Sequence, residues 1–480
     1  MKTSHTFKTL FIDDYAIESL DGLSRNLNQP TKYSANPVFP EVPKDQPSWD
    51  ADMRPSFASM IFDEEEKLFK MWYSLWEKGQ SDEESVLAYA TSEDGIKWNK
   101  PSLGIFSYRG TTENNLVKIG CSIASGVFKD LHETDAARRY KMLYTGIGIR
   151  VYASYSPDGL HWTPYNYGQV VIPDGRDTHA VPYWDEQLGK YVAIVRERSG
   201  KMEDIRKQLI SDPQERETHI RIWGGTPEGH TLRRVGQAVS DDFEHWGPVR
   251  VIVEADSEDP INREAFYNME VILYEGLRVG LMTVFSYDPQ YPRSAIQLTC
   301  SRDGMNWFRA GDRGIFLPPS DQSEDFDWGG IYPLQGPLVV GDEIWIYYTG
   351  CAADHNGFLP TGTDTTGTGL AKLRLDGFVS VDADAREGTL TTKSFTPDGQ
   401  ALVINADASR QGGYVLVEIL NAEKKPIARF GKADCDAFNG DEIRHIVTWH
   451  GGSSLERFKG TTIALRFYLK EAKLFSYKVK

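Results

Sequence analysis

Five short stretches of this chain gather side chains capable of acid–base chemistry just ahead of β-forming sequence. They are Trp49-Asp50-Ala51-Asp52-Met53-Arg54-Pro55, Glu113-Asn114-Asn115-Leu116-Val117, Gly175-Arg176-Asp177-Thr178-His179, Arg263 to Glu270, and Asp325-Phe326-Asp327-Trp328-Gly329-Gly330. Each carries a carboxylate or a carboxamide. Two carboxyl groups facing each other across a pocket, one donating a proton and the other acting as base or nucleophile, cleave glycosidic bonds. A third raises the acid's pKa through like-charge proximity. Asp50 is the candidate base or nucleophile, with Asp52 as its close rival. Asp177 is the candidate stabilising carboxylate. Glu270 or Glu264 is the candidate acid, because a carboxyl group in a semi-apolar pocket keeps its proton nearer neutrality; Asp327 is a further candidate. Arg54, His179, Arg196, Tyr267, Asn268 and Trp328 are placed to bind hydroxyls or stack on a ring. Each position also has a structural reading: Asp and Asn form turns, and His179 suits a neutral histidine holding a water or an ion.

For these stretches to converge, the elements behind them must repeat around a centre, and the sequence does repeat. Ser92-Glu93-Asp94-Gly95-Ile96-Lys97-Trp98 returns as Ser156-Pro157-Asp158-Gly159-Leu160-His161-Trp162 and as Ser301-Arg302-Asp303-Gly304-Met305-Asn306-Trp307. Ser240-Asp241-Asp242-Phe243-Glu244-His245-Trp246 is a copy with Phe in place of Gly, and Arg374-Leu375-Asp376-Gly377-Phe378 is a fifth, weaker one. Units of about seventy residues suit four-stranded blades arranged radially. The motif itself is structural: Asp-Gly is a turn dipeptide, the Ser and Asp side chains hold turn amides, and the Trp packs between blades. Strands precede each copy, as in Phe69-Lys70-Met71-Trp72-Tyr73-Ser74 and Glu343-Ile344-Trp345-Ile346-Tyr347-Tyr348. The charge run Asp63 to Glu66 reads as a solvated turn, and Ser199 to His230 as a long insertion in the third unit.

The expected fold is therefore all-β: a five-bladed β-propeller over residues 1–378, followed by a β-sandwich over 379–480. Alternating segments such as Ala401–Asn405, Tyr414–Leu420 and Ile463–Leu469 make the sandwich. A strand around Phe11-Ile12-Asp13-Asp14-Tyr15 is expected either to close the ring or to join the sandwich.

A formal net charge of -16 excludes the basic footprint that nucleic acids and anionic membranes require. No apolar run approaches the roughly 20 residues of a membrane span. Met1 to Leu10 lacks a signal-peptide core, so the chain as given reads as cytoplasmic, or as periplasmic or secreted if a signal has been removed. Cys121, Cys300, Cys351 and Cys435 form no metal-binding spacing. No G-x-S-x-G, G-x-G-x-x-G or phosphate loop occurs in a fitting context. No cofactor is required and no metal ligands are assigned.

On the repeated Asp-Gly-x-x-Trp turns and the acidic lead-ins, residues 10–378 resemble the five-bladed propeller glycoside hydrolases: the invertase and arabinanase/xylosidase groups and the mannoside phosphorylases. The sandwich resembles the invertase group. In those families an Asp in blade one, an Asp in a middle blade and a Glu in a later one form the catalytic trio, which Asp50, Asp177 and Glu270 match in order of role. The invertase signatures N-D-P-N-G, R-D-P and E-C are absent; Arg176-Asp177-Thr178 is the nearest to R-D-P. The resemblance implies an oligosaccharide substrate and admits a structural calcium in the channel; oligomeric state is left open. Two alternatives stand beside hydrolysis. One is a glycoside phosphorylase, with phosphate held by Arg54, Arg176, Arg196 and Arg198. The other is a carbohydrate-binding propeller whose carboxylates do not converge.

Overall fold

The computed structural model describes residues 7–77, 84–121, 125–176, 179–197, 233–259, 265–285, 293–355, 357–362 and 364–480. Asp177, Arg198, Glu264 and the 199–230 insertion lie outside them. The described chain is all-β; its helical pieces are short 3-10 turns such as Ala136–Arg138. Among the described residues, no helix is long and apolar enough to cross a membrane.

Five antiparallel sheets follow one another along the chain. The first runs through Met53–Asp63, Leu68–Glu77, Val86–Ser92 and Leu116–Ile119. The second is built on Ser125–Lys129, Tyr140–Thr145 and Arg150–Ser156, and the third on Val181–Asp185, Lys190–Glu197, Arg234–Ser240 and Arg250–Val253. The fourth is built on Ala265–Tyr274, Leu277–Phe285 and Ser294–Ser301. In the fifth, Gly330–Pro333 and Leu338–Val340 both pair with Glu343–Cys351, which pairs with Thr366–Arg374. The first strands touch in the order one to five, and the fifth sheet touches the first, so the sheets form a closed cycle. Strands buried on both faces by this stacking read as continuous apolar runs; all of Leu277–Phe285 is buried.

Two devices close the cycle. Thr31–Lys32 and Phe39–Pro40, from near the N-terminus, take the outer edge of the fifth sheet. At the inner edge, Gln335 N donates to Ala58 O and Met60 N to Gln335 O, stitching the fifth sheet to the first. Gly336 makes this approach possible: its φ is +92°, and an added Cβ would lie 2.0 Å from Met60 O.

The repeated turns hold the sheets against one another. Ser156 Oγ accepts from the amides of Asp158 and Gly159, and Asp158 Oδ1 accepts from those of Leu160 and His161. The turns at Ser92, Ser240 and Ser301 share this pattern of side-chain oxygens on turn amides. Gly159 O accepts from Trp72 Nε1 of the first sheet at 2.6 Å, and Gly95 O from Tyr347 of the fifth at 2.8 Å. Phe243 adopts φ +68° where other copies have Gly; its fully buried ring packs against Phe128 of the preceding sheet, which offsets the strain. The fifth copy differs. There Asp376 itself has φ +63° and accepts from Lys8 Nζ, Ser476 Oγ and Tyr274 Oη, anchoring the ring to the C-terminal sheets.

Two further sheets enclose a separate core that includes Val381, Ile404, Val417, Leu465 and Phe467. One joins Val379–Ala383, Ala472–Val479, Leu402–Asp407 and Asp441–Ile446; the other joins Gly388–Thr392, Ala464–Lys470 and Tyr414–Leu420. Thr9–Leu10 and Ser24–Leu27 pair into the former, and Ile17–Asp21 into the latter. Residues 9–27 thus go with the C-terminal sheets, while ring closure falls to residues 31–40.

Candidate functional site

Every first strand begins at one end of the cycle and finishes at the other. The far end carries a second repeat that local sequence does not reveal. Asp63 and Asp185 end their first strands and Asp130 directly follows its own; all three cap the following hairpin amides with Oδ1 and are buried. Asp63 accepts from Lys70 Nζ, Lys129 Nζ and Tyr140 Oη. Burial raises its pKa, but the hydrogen bonds from Lys70, Lys129 and Tyr140 outweigh that and leave it far below the usual carboxylate range. The solvated turn expected at Asp63–Glu66 is therefore corrected: its first residue is a buried ion-pair hub, because cations from two sheets reach it. Asp130 binds Lys141 Nζ and Tyr191 Oη, both at 2.7 Å, and Asp185 binds Arg278 through both oxygens. A cleft of about 1260 Å³ between this end and the C-terminal sheets is lined by Tyr15, Leu188, Glu275, Arg302 and Phe395. It lies at the opposite end from the acidic lead-ins.

At the near end and along the axis, the polar groups are arranged differently. Ser59 Oγ donates to Gln335 Oε1, Gln335 Nε2 to Pro182 O, and Asn268 Nδ2 to Pro333 O. His179 Nε2 lies 3.1 Å from Ser125 O, and its Nδ1 lies 2.7 Å from Glu270 Oε1. All five sheets contribute to this girdle. A carbonyl oxygen only accepts, so Nε2 carries a proton and the Nδ1–Oε1 pair shares one more. Asn268 Nδ2 also donates to Glu270 Oε1, and Thr283 holds Asn268 by donating to its Oδ1. Glu270 Oε2 is buried and accepts no hydrogen bond among the described residues.

Backbone irregularities aim aromatic rings at this pair. A bulge between Ser56 and Ala58 puts Phe57 at φ +34°, with its ring 5.9 Å from His179 and 5.7 Å from Tyr332. A bulge between Phe266 and Met269 frees Tyr267 and Asn268 from the ladder. The Tyr267 ring meets Tyr332 at 5.1 Å and His355 at 5.6 Å. Arg196 Nε donates to Tyr267 O, its guanidinium 3.8 Å above the Tyr267 ring, and Arg233 sits 5.4 Å from the same ring. A left-handed phenylalanine held by packing is the kind of strain found at functional sites.

Of the sequence candidates, His179, Glu270, Asn268, Tyr267 and Arg196 come together here. The others are engaged elsewhere. Asp50 is buried, accepts from Ser48 Oγ and pairs with Lys100 Nζ at 2.5 Å. Asp52 has φ +63° and lies 3.8 Å from Lys44 Nζ. Asp327 pairs with Lys32 Nζ at 2.6 Å and accepts from Tyr348 Oη, fastening the N-terminal edge strand. Arg54 pairs with Asp364 beneath Trp76, and Trp328 packs under Arg293. Phe57, Tyr332, His355 and Gln335 were not legible as site residues. Gln335 alone had a local signal, in the strand-breaking run Pro333-Leu334-Gln335-Gly336-Pro337.

The calcium implied by the family resemblance calls for six to eight oxygen ligands. Among the described residues no three metal-ligating side chains cluster, and Glu270 Oε1 on the axis is already engaged by His179 and Asn268.

No protein-family model and no curated protein matches the chain. It is similar in structure to several solved proteins. One comes from work on the GH130 family of mannoside phosphorylases containing glycoside hydrolases that target β-1,2 mannosidic linkages in Candida mannan: 15% identity, 77% of this chain and 96% of that one, TM-score 0.45. A thermostable family-43 glycoside hydrolase gives 13%, 69% and 93%, with TM-score 0.45. A glycosyl hydrolase from Bacteroides ovatus gives 14%, 72% and 94%, with TM-score 0.45.

Proposed function

We propose that the five sheets are the blades of a β-propeller, that the two C-terminal sheets form a β-sandwich, and that the propeller mouth is the active site of a glycoside hydrolase. The observation carrying this reading is the hydrogen-bonded pair of His179 and Glu270 beside the Phe57 ring, which continues through Tyr332 to Tyr267. Aromatic faces pack on the apolar faces of sugar rings, and a few fixed polar groups orient the hydroxyls. Glu270 is the acid: Asn268 Nδ2 and His179 Nδ1 hold Oε1, and Oε2, which meets no partner among the described residues, carries the proton that passes to the glycosidic oxygen as the glycosidic bond breaks. Asp177, two residues before His179 in sequence, is the second carboxyl group. Asp50 falls away from catalysis because Lys100 and Ser48 hold it.

The test is a screen of nitrophenyl glycosides and oligosaccharides against wild type, Glu270→Gln, Asp177→Asn and Asp50→Asn. The first two variants are expected to lose about 10²–10⁴ in kcat/KM on the substrate wild type cleaves, and Asp50→Asn to keep it. Equal turnover by all four would overturn the assignment.

A second reading, phosphorolysis, is favoured by the guanidinium groups of Arg196 and Arg233 at the same aromatic wall. Turnover that depends on inorganic phosphate and releases a sugar phosphate would select it.

A further inference from the structure

Between the first and second sheets, at the end where the first strands begin, lies a lysine with no counter-ion among the described residues. Lys118 sits near the mouth end of Leu116–Ile119, directly across from Leu87. Leu87 pairs with Ser74, and Ser74 with Ser56. Residues directly opposite in a sheet share a face, so Lys118, Leu87, Ser74 and Ser56 form one row. That row faces the second sheet, because Lys118 Nζ lies 4.4 Å from the Tyr144 ring centroid. Tyr144 in turn stacks on Tyr152 at 5.6 Å. No carboxylate pairs with Lys118 among the described residues, whereas most half-buried cations of the ring are paired. Ser56 Oγ and Ser74 Oγ, on buried residues of the same row, have no hydrogen-bond partner among the described residues. Burial draws the Lys118 pKa down, as expected of an ammonium without an anion beside it. The seam leads to the axis: Tyr144 pairs with Ser125, whose carbonyl faces His179 Nε2.

We propose that this seam is an anion subsite, and that the saccharide taken by the mouth carries a carboxylate on a unit neighbouring the one at His179. An ammonium, two unspent hydroxyls and a pair of stacked tyrosines suit a uronic acid, whose ring offers both an anion and an apolar face. The proposal rests on the reading that the mouth binds a saccharide.

It is tested by calorimetric titration of the full chain carrying Glu270→Gln, which separates binding from turnover. The probes are glucuronate-, galacturonate- and mannuronate-containing oligosaccharides beside their neutral counterparts. At least one uronate is expected to bind about tenfold tighter than its counterpart, the worth of one charge-assisted contact. Adding Lys118→Met, which keeps the stem and removes the charge, is expected to abolish that preference, and Lys118→Arg to retain it. Neutral saccharides binding with no uronate preference, or a preference that survives Lys118→Met, would overturn the proposal while leaving the mouth reading intact. No saccharide binding at all would remove both. If inorganic phosphate raises the Tm of wild type but not of Lys118→Met, and uronates do not, the seam holds free phosphate and the substrate assignment fails.

Discussion

The far end of the ring and its axis both bury carboxylates on first strands, and they treat them oppositely. At the far end Asp63, Asp130 and Asp185 are saturated: cations and tyrosines meet their oxygens, and hairpin amides take what remains. At the axis Glu270 shares one oxygen with a histidine and an amide and leaves the other without a partner among the described residues. A saturated buried carboxylate does structural work, since any change in its charge strands its partners. One left half-satisfied, in a place costly to leave so, is on the proposed reading a group kept for a reactant. Burial and acidity alone do not separate the two; cations beside Asp63, Asp130 and Asp185, and a histidine and an amide beside Glu270, do.

That contrast is broken most sharply at the saturated end. Arg278→Ala leaves Asp185 buried without its cation and is expected to cost about 3–5 kcal/mol, the range for breaking one side of a buried ion pair. Thermal and denaturant unfolding measure it, and kcat/KM per folded molecule should not change. Gly336→Ala comes next: a Cβ at φ +92° and 2.0 Å from Met60 O disrupts the stitch closing the ring, for about 1–3 kcal/mol. Both would contradict the division of labour if activity fell while Tm held.

Asp50→Asn is a smaller step. It weakens the bond to Lys100 and should lower Tm without changing kcat/KM. The smallest effect belongs to the repeated turns. In Asp303 burial raises the pKa, but the amides of Asn306 and Met305 outweigh it and hold the carboxyl at about 2, below its ordinary 3.8. A depressed folded pKa contributes stability above the unfolded value that is lost as pH falls through the folded one. Wild type should therefore lose Tm between pH 3.8 and about 2, and Asp303→Asn should show a shallower loss over the same interval.

Much of this architecture was legible because it is local. The Ser-x-Asp-Gly turns announce themselves within seven residues, and the aromatic strands lie between them. Asp63 was misread for the opposite reason: three acids follow it, while one of its cations, Lys129, lies in the next sheet. Asp50 and Glu270 looked alike as acidic residues near strands, and only Lys100 beside one and His179 beside the other tells them apart. The ring-closing strands at residues 31–40 carry no strong β signal; they pair because the edge of Thr366–Arg374 is open to them. Phe57 gave no warning, since a bulge decides its conformation.

The central claim is that Glu270 is reserved for chemistry and not for holding the axis together. It is tested most directly by measuring Tm and kcat/KM together for Glu270→Gln, which retains a hydrogen-bonding side chain toward His179. Activity lost by about 10²–10⁴ with Tm unchanged or raised is the predicted result. Activity retained while Tm falls would make Glu270 one more structural carboxylate and contradict it.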